Sequence, residues 1–262
     1  MGMKQTLEVI NRMQADGIIG RYAIAGAVAA YNYVEPSVTD DLDILVSFDA
    51  IPGQPQSGLI TLSPIFSYLQ DKGYSEFHKE GLVIEGWPVQ FLPVASDLDA
   101  EALARAEEVE VEMTPSEDSV KTRVLRPEHI VATALRIDRP RDRIRITQFL
   151  EEQAVDLDAL CDVVDRHRLR GAWRAYCERA GISDPLRCTS EAMKDGKTKV
   201  YPDVSDILAR KAEGRRDISR RTFGEKIAMV EALRERLAPL KRARERRIAA
   251  KRLQQGSTGP RE

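Results

Sequence analysis

Cysteine is scarce, aromatic residues are few, and no long apolar run occurs. The three cysteines, Cys161, Cys177 and Cys188, form no C-x-x-C pair and no even set. That excludes a disulfide scaffold and a zinc ribbon, and reads as free thiols in a reducing compartment. Phenylalanine, tryptophan and tyrosine together make up 6% of the 262 residues, so the stacking stripe of a single-strand nucleic-acid binder is missing. No uncharged apolar stretch approaches the ~20 residues of a membrane span, and the first residues lack the apolar centre of a signal peptide. The expectation is a cytoplasmic chain without membrane contact. Internal repeats and long low-complexity tracts are also absent.

Charge is plentiful, at 31% of residues beside 42% hydrophobic, which is the balance of a folded globular chain. The net charge of -2 conceals a segregation. Residues 187–262 carry 21 Lys/Arg against 11 Asp/Glu, while the preceding residues carry 19 against 31. Such a division implies two parts, the basic one facing an anionic partner or the acidic part itself.

Apolar spacing predicts helices over residues 6–16, 27–33, 62–72 and 99–108, and strands over 21–25, 41–46, 82–84, 89–92 and 120–125. A tight connection is expected at Glu85-Gly86-Trp87-Pro88, and a Pro- and Gly-rich loop over 51–58. From Pro127, a first-turn proline, the rest reads as helical: 127–135, 139–152, 158–167, 171–181, 203–213 and 222–253. Thr222-Phe-Gly-Glu225 has the spacing of a capping box. The fold class is therefore α+β. Its expected parts are a mixed-sheet core over 1–126, a helical region over 127–182, a linker over 183–202 and a basic helical extension over 203–262.

One constellation carries chemistry. In Tyr22-Ala-Ile-Ala-Gly26-Ala27 a strand ends at a glycine and a helix begins, which points free N–H groups at one spot. Downstream stands Thr39-Asp40-Asp41-Leu42-Asp43. On a strand, Asp41 and Asp43 share one face while Leu42 and Ile44 share the other. Two carboxylates on one rigid face, opposite a phosphate cradle, suit Mg²⁺ bridging to a triphosphate.

The arrangement resembles the nucleotidyltransferase-fold proteins of the DNA polymerase β-like superfamily, in particular small bacterial abortive-infection (AbiE-type) toxins. The resemblance extends through Val89-Gln-Phe-Leu-Pro93, Val124-Leu-Arg-Pro-Glu-His-Ile130, Arg139-Pro-Arg-Asp-Arg-Ile144 and Asp165-Arg-His-Arg-Leu169, and covers residues 5 to 180, about two thirds of the chain. It implies a Mg²⁺-dependent (or Mn²⁺-dependent) enzyme moving a nucleoside monophosphate from a nucleoside triphosphate to an RNA or protein acceptor. Asp41 and Asp43 would be the metal ligands, and Gly26, Ala27 and Thr39 would line the nucleotide site. Three positions depart from the pattern. Gln90 stands where a third carboxylate is expected and brings no charge. Ala27 has no hydroxyl. Ala134 stands where such toxins tend to carry a lysine, leaving Arg139 or Arg141 to supply the positive charge.

Gln90 feeds a second reading, a catalytically weak or inactive nucleotide-binding or antitoxin-like interaction module. In it the basic extension is a partner- or RNA-binding arm. Ile227, Val230, Leu233, Leu237 and Leu240 form an apolar stripe on that extension, which is expected to dock on the main body or on an antitoxin-like partner. The remaining marked residues read as structural. His129 is expected at the surface or as a cap, His167 as a helix cap, His78 without a partner, Trp87 and Trp173 in the core, and Asp40 as a modifier of local charge.

Overall fold

The computed structural model describes residues 2–48, 61–112, 119–186, 217–218 and 220–256. They form a mixed α/β fold built on one seven-stranded sheet. The chain enters through helix α1 (Met3–Ala15), strand β1 (Tyr22–Ile24), short helix α2 (Gly26–Ala30) and strand β2 (Leu42–Val46). Helix α3 (Ser63–Asp71) leads to a meander of β3 (Phe77–His78), β4 (Gly81–Ile84) and β5 (Trp87–Pro93). Helix α4 (Asp97–Ala104), strands β6 (Glu107–Val111) and β7 (Val120–Val124), and helices α5 (Pro127–Ile137), α6 (Pro140–Glu151), α7 (Leu157–Arg166) and α8 (Arg170–Ala180) follow. Helix α9 (Phe223–Gly256) completes the described residues.

The strand order is β3-β4-β5-β2-β1-β7-β6. β2 is central, antiparallel to β1 and parallel to β5, with Leu42 opposite Val89 and Asp43 opposite Gln90. Leu42, Ile44, Leu45 and Val46 are buried, so β2 is covered on both faces and Asp43 alone is partly open. Leu7, Ile10 and Met13 of α1 enter the core, and the Thr6 hydroxyl donates to the Ile84 carbonyl at 2.9 Å. α1 thus begins three residues earlier than expected, and Thr6 is a buried anchor rather than a cap. The β4–β5 hairpin closes on two residues, Glu85 and Gly86, both with positive φ, as a tight hairpin turn requires. Trp87 and Pro88 therefore belong to the strand.

Two further expectations are corrected. The helix expected over 99–108 stops at Ala104, and β6 takes its last residues. Glu107-Glu108-Val109-Glu110-Val111 alternates, and its acidic side meets Lys121 and Arg123 of β7 in register. Cross-strand pairing of opposite charges outweighs the local helix preference of glutamate. His129, expected at the surface or as a cap, is fully buried and faces Glu101 of α4. The linker beyond Leu186 and the helix expected over 203–213, like the loop over 51–58, lie outside the described residues.

α9 opens on the expected capping box: Glu225 accepts from the Thr222 N–H at 2.7 Å, and Thr222 accepts from the Glu225 N–H at 3.2 Å. Phe223, Ile227 and Val230 join the same core cluster as the sheet. At Gly224 a Cβ would overlap the Glu112 carbonyl, so glycine permits the close approach. Glu231 then accepts from the Met3 N–H at 2.7 Å and from Trp87 Nε1 at 2.9 Å, and Arg234 stacks on the Trp87 ring at 3.8 Å. The stripe docks through Ile227 and Val230, whereas Leu233 is already 37% exposed. The core expected to lie wholly before the linker is thus completed by the basic extension.

Candidate active site

Position 26 ties the strand–helix turn to β2. The Ala25 N–H donates to the Asp43 carbonyl at 2.8 Å, and Gly26 follows with φ +62°. A Cβ at Gly26 would overlap the Asp43 carboxylate oxygen, so only glycine leaves room for that carboxylate. Asp41 stands one residue before β2, two before Asp43, and is oriented by the Thr39 hydroxyl, which donates to it at 2.7 Å. Gln90, directly opposite Asp43 on the parallel neighbour, shares its face.

All eight residues singled out from the sequence line one cavity of about 800 Å³. Gly26 and Ala27 enter from the start of α2, Thr39 and Asp41 from the approach to β2, Asp43 from β2 itself and Gln90 from β5. Arg139 and Arg141 come from the α5–α6 junction. Ala134, the small residue where a lysine was expected, lines the same cavity. α2 is only five residues long and carries no side-chain cap. Its contribution is therefore the unpaired N–H groups of one turn rather than a sizeable dipole.

Five charged residues of the site escaped the sequence reading: Glu35, in the segment between α2 and β2, and four from α6 and the β3–β4 turn. Arg145 and Asp142 follow Arg139 and Arg141 on α6 and pair with each other at 3.3 Å. The alternating Arg-Pro-Arg-Asp-Arg-Ile-Arg run could have signalled them. Lys79 and Glu80 come from the β3–β4 turn and carried no local signal. Lys79 pairs with Asp40 at 3.6 Å, and Glu80 accepts from Gln90 Nε2 at 3.1 Å. Around the mouth stand Val38, Leu92, Ile137 and Ile144, large apolar side chains that are all exposed, Ile144 to 68%.

Burial, with the neighbouring charge of Asp41, pushes the Asp43 carboxyl up to about 6, against the opposing pull of Arg145 and Arg139. A pair of crowded carboxylates attracts a cation. The donors here are hard oxygens, two carboxylates and the amide carbonyl of Gln90, which suits Mg²⁺ or Mn²⁺. Among the described residues, no group of three or more His, Cys, Asp or Glu is placed to hold a metal ion. Asp41, Asp43 and the Gln90 carbonyl are the residues that could hold a divalent cation, and Mg²⁺ is commonly held by one or two carboxylates plus substrate.

The other marked residues lie elsewhere. His78 is exposed on β3. His129 and His167 both face Glu101, at 3.4 and 2.7 Å, in a cluster that joins α4, α5 and the end of α7. Cys161 lies beside Arg170 on the far helices. Trp87 and Trp173 are buried, as expected. No helix among the described residues is long and apolar enough to cross a membrane. No protein-family model matches the chain, and a search of curated proteins finds no relative.

Proposed function

We propose that the chain is a nucleotidyltransferase of the DNA polymerase β-like type, akin to small toxin-type enzymes. It binds a nucleoside triphosphate with Mg²⁺ or Mn²⁺ and passes the nucleoside monophosphate to an RNA or protein acceptor. One observation carries the reading: Asp41, Asp43 and Gln90 line the same cavity as Arg139, Arg141 and Arg145, and Arg145 and Arg139 act electrostatically on Asp43. Its volume lies within the range of small-ligand sites. Bound Mg²⁺ would neutralise charge between the carboxylates and the phosphates.

Each residue has a task in that reading. Asp41, oriented by Thr39, and Asp43, seated against Gly26, hold the cation side of the triphosphate. Arg139, Arg141 and Arg145 take the phosphate oxygens not facing the carboxylates. The exposed apolar rim of Leu92, Ile137 and Ile144 offers surface for the base. In the transfer, an acceptor hydroxyl oxygen bonds to the α-phosphorus as its proton passes to solvent, and the bond from the α-phosphorus to the α–β bridging oxygen breaks, releasing pyrophosphate. The neutral amide of Gln90 favours a second reading, a nucleotide-binding module with weak or no transfer.

Calorimetric titration with a non-hydrolysable nucleoside triphosphate tests the shared part of both readings. With Mg²⁺ the wild-type chain is expected to bind, and Asp41→Asn and Asp43→Asn each to lose at least tenfold in affinity, as does chelation of the metal. Equal affinity in all three proteins would sink the assignment.

A further inference from the structure

Gln90 has a partner that explains why an amide stands there. Its Nε2 donates to the Glu80 carboxylate at 3.1 Å, across the β3–β4 turn, and both residues line the cavity. An ionised carboxylate can only accept, so the NH₂ end of the amide must face Glu80. The carbonyl end is thereby turned away from Glu80. Lys79, at φ +55°, anchors the same turn through Asp40. β4 lies between β3 and β5, and β5 beside β2, so the sheet order brings this hairpin tip to the edge of the carboxylate pair.

We infer that Glu80 is a positioning residue for the site, holding Gln90 so that its carbonyl oxygen serves as a neutral cation ligand beside Asp43. The inference rests on the nucleotidyltransferase reading and deepens it. The negative charge missing from position 90 stands one hydrogen bond further out, on the hairpin. A carboxylate at position 90 would face Glu80 at hydrogen-bond distance, and the two would repel. Gln90 and Glu80 therefore function as a pair, and neither can be replaced by a carboxylate or an amide without adjusting the other.

The test uses the full chain and Mn²⁺ alone, with affinity read by electron paramagnetic resonance. Glu80→Ala is expected to weaken Mn²⁺ binding about tenfold, the scale of outer-shell losses at metal sites. Glu80→Gln, which retains an acceptor, should lose less. Gln90→Glu alone should bring no gain, whereas the swap E80Q/Q90E should bind at least as tightly as wild type. Independently of any metal, the Gln90 side-chain NH₂ resonances should shift in Glu80→Ala. Unchanged resonances and unchanged Mn²⁺ affinity in Glu80→Ala would overturn the inference, as would Gln90→Glu binding as tightly as the swap. If nucleotide binds the wild type normally while those results are obtained, this inference alone fails. If the pair behaves as expected and no nucleotide binds, the nucleotidyltransferase reading alone fails.

Discussion

Asp43 sits where a folded chain would rather not ionise a carboxyl. Its pKa of about 6, against 3.8 for the ordinary side chain, means that the native state binds its proton more tightly than the unfolded state. Ionisation of Asp43 therefore destabilises the fold, with no cost below pH 3.8 and the full cost above about 6. Asp43→Asn should melt higher than wild type at pH 8, by several degrees for a difference on the order of 2 kcal/mol. The two curves should converge near pH 4, and scanning calorimetry at both pH values checks this. The same substitution is expected to abolish nucleotide binding, so stability and function move in opposite directions. Gly26→Ala should lose both. It sets a side chain at φ +62° and into the Asp43 carboxylate, and the expected cost is about 2–4 kcal/mol by thermal melting.

At the level of elements, the helices around the sheet are locked by one carboxylate. Glu101 of α4 receives Arg166 at 2.8 and 2.9 Å, His167 at 2.7 Å and His129 at 3.4 Å. Its burial raises the carboxyl, but those hydrogen bonds prevail and bring it down to about 2. Burial also lowers the pKa of His129, whose Nδ1 has no hydrogen-bond partner. The stability due to Glu101 is thus present above pH 4.5 and lost as pH falls toward 2. Glu101→Gln should melt several degrees lower at pH 7 and approach wild type on acidification to pH 3. The hub was invisible in the sequence because its members come from three helices separated by up to 66 positions. β2, the β4–β5 hairpin and the four helices after Pro127 were legible because alternation and apolar spacing are local, although the turn proved two residues shorter than the four expected. Asp41 and Asp43 were singled out by their two-residue spacing, and Gln90 only through the resemblance, as the counterpart of a third carboxylate. Glu80 and Lys79 were not, since only the order β4-β5-β2 brings their turn to the site. β6 was lost because glutamate reads as helical until its cross-strand lysine and arginine are known.

On the scale of the whole molecule, the basic extension is part of the body at its root and extends the helix beyond it. Phe223, Ile227 and Val230 are buried, and Trp87 and Met3 depend on Glu231. Deleting residues 221–262 removes three buried apolar side chains, worth roughly 5 kcal/mol together. That variant should be insoluble or melt at least ten degrees lower in a thermal-shift assay. A chain ending at Ala238 keeps those contacts and should melt like wild type. It loses most of the surplus charge, however, so any RNA affinity of the full chain, steeply salt-dependent, should fall away with it. The central claim is that the carboxylates and arginines lining one cavity together transfer a nucleoside monophosphate. The most direct measurement is label transfer: the full chain incubated with α-labelled nucleoside triphosphates, Mg²⁺ and total cellular RNA and protein. The expected result is label fixed on a macromolecule by the wild type and by neither Asp41→Asn nor Asp43→Asn. Label fixed equally by all three, or a wild-type chain that neither binds nor transfers any nucleotide, would contradict it.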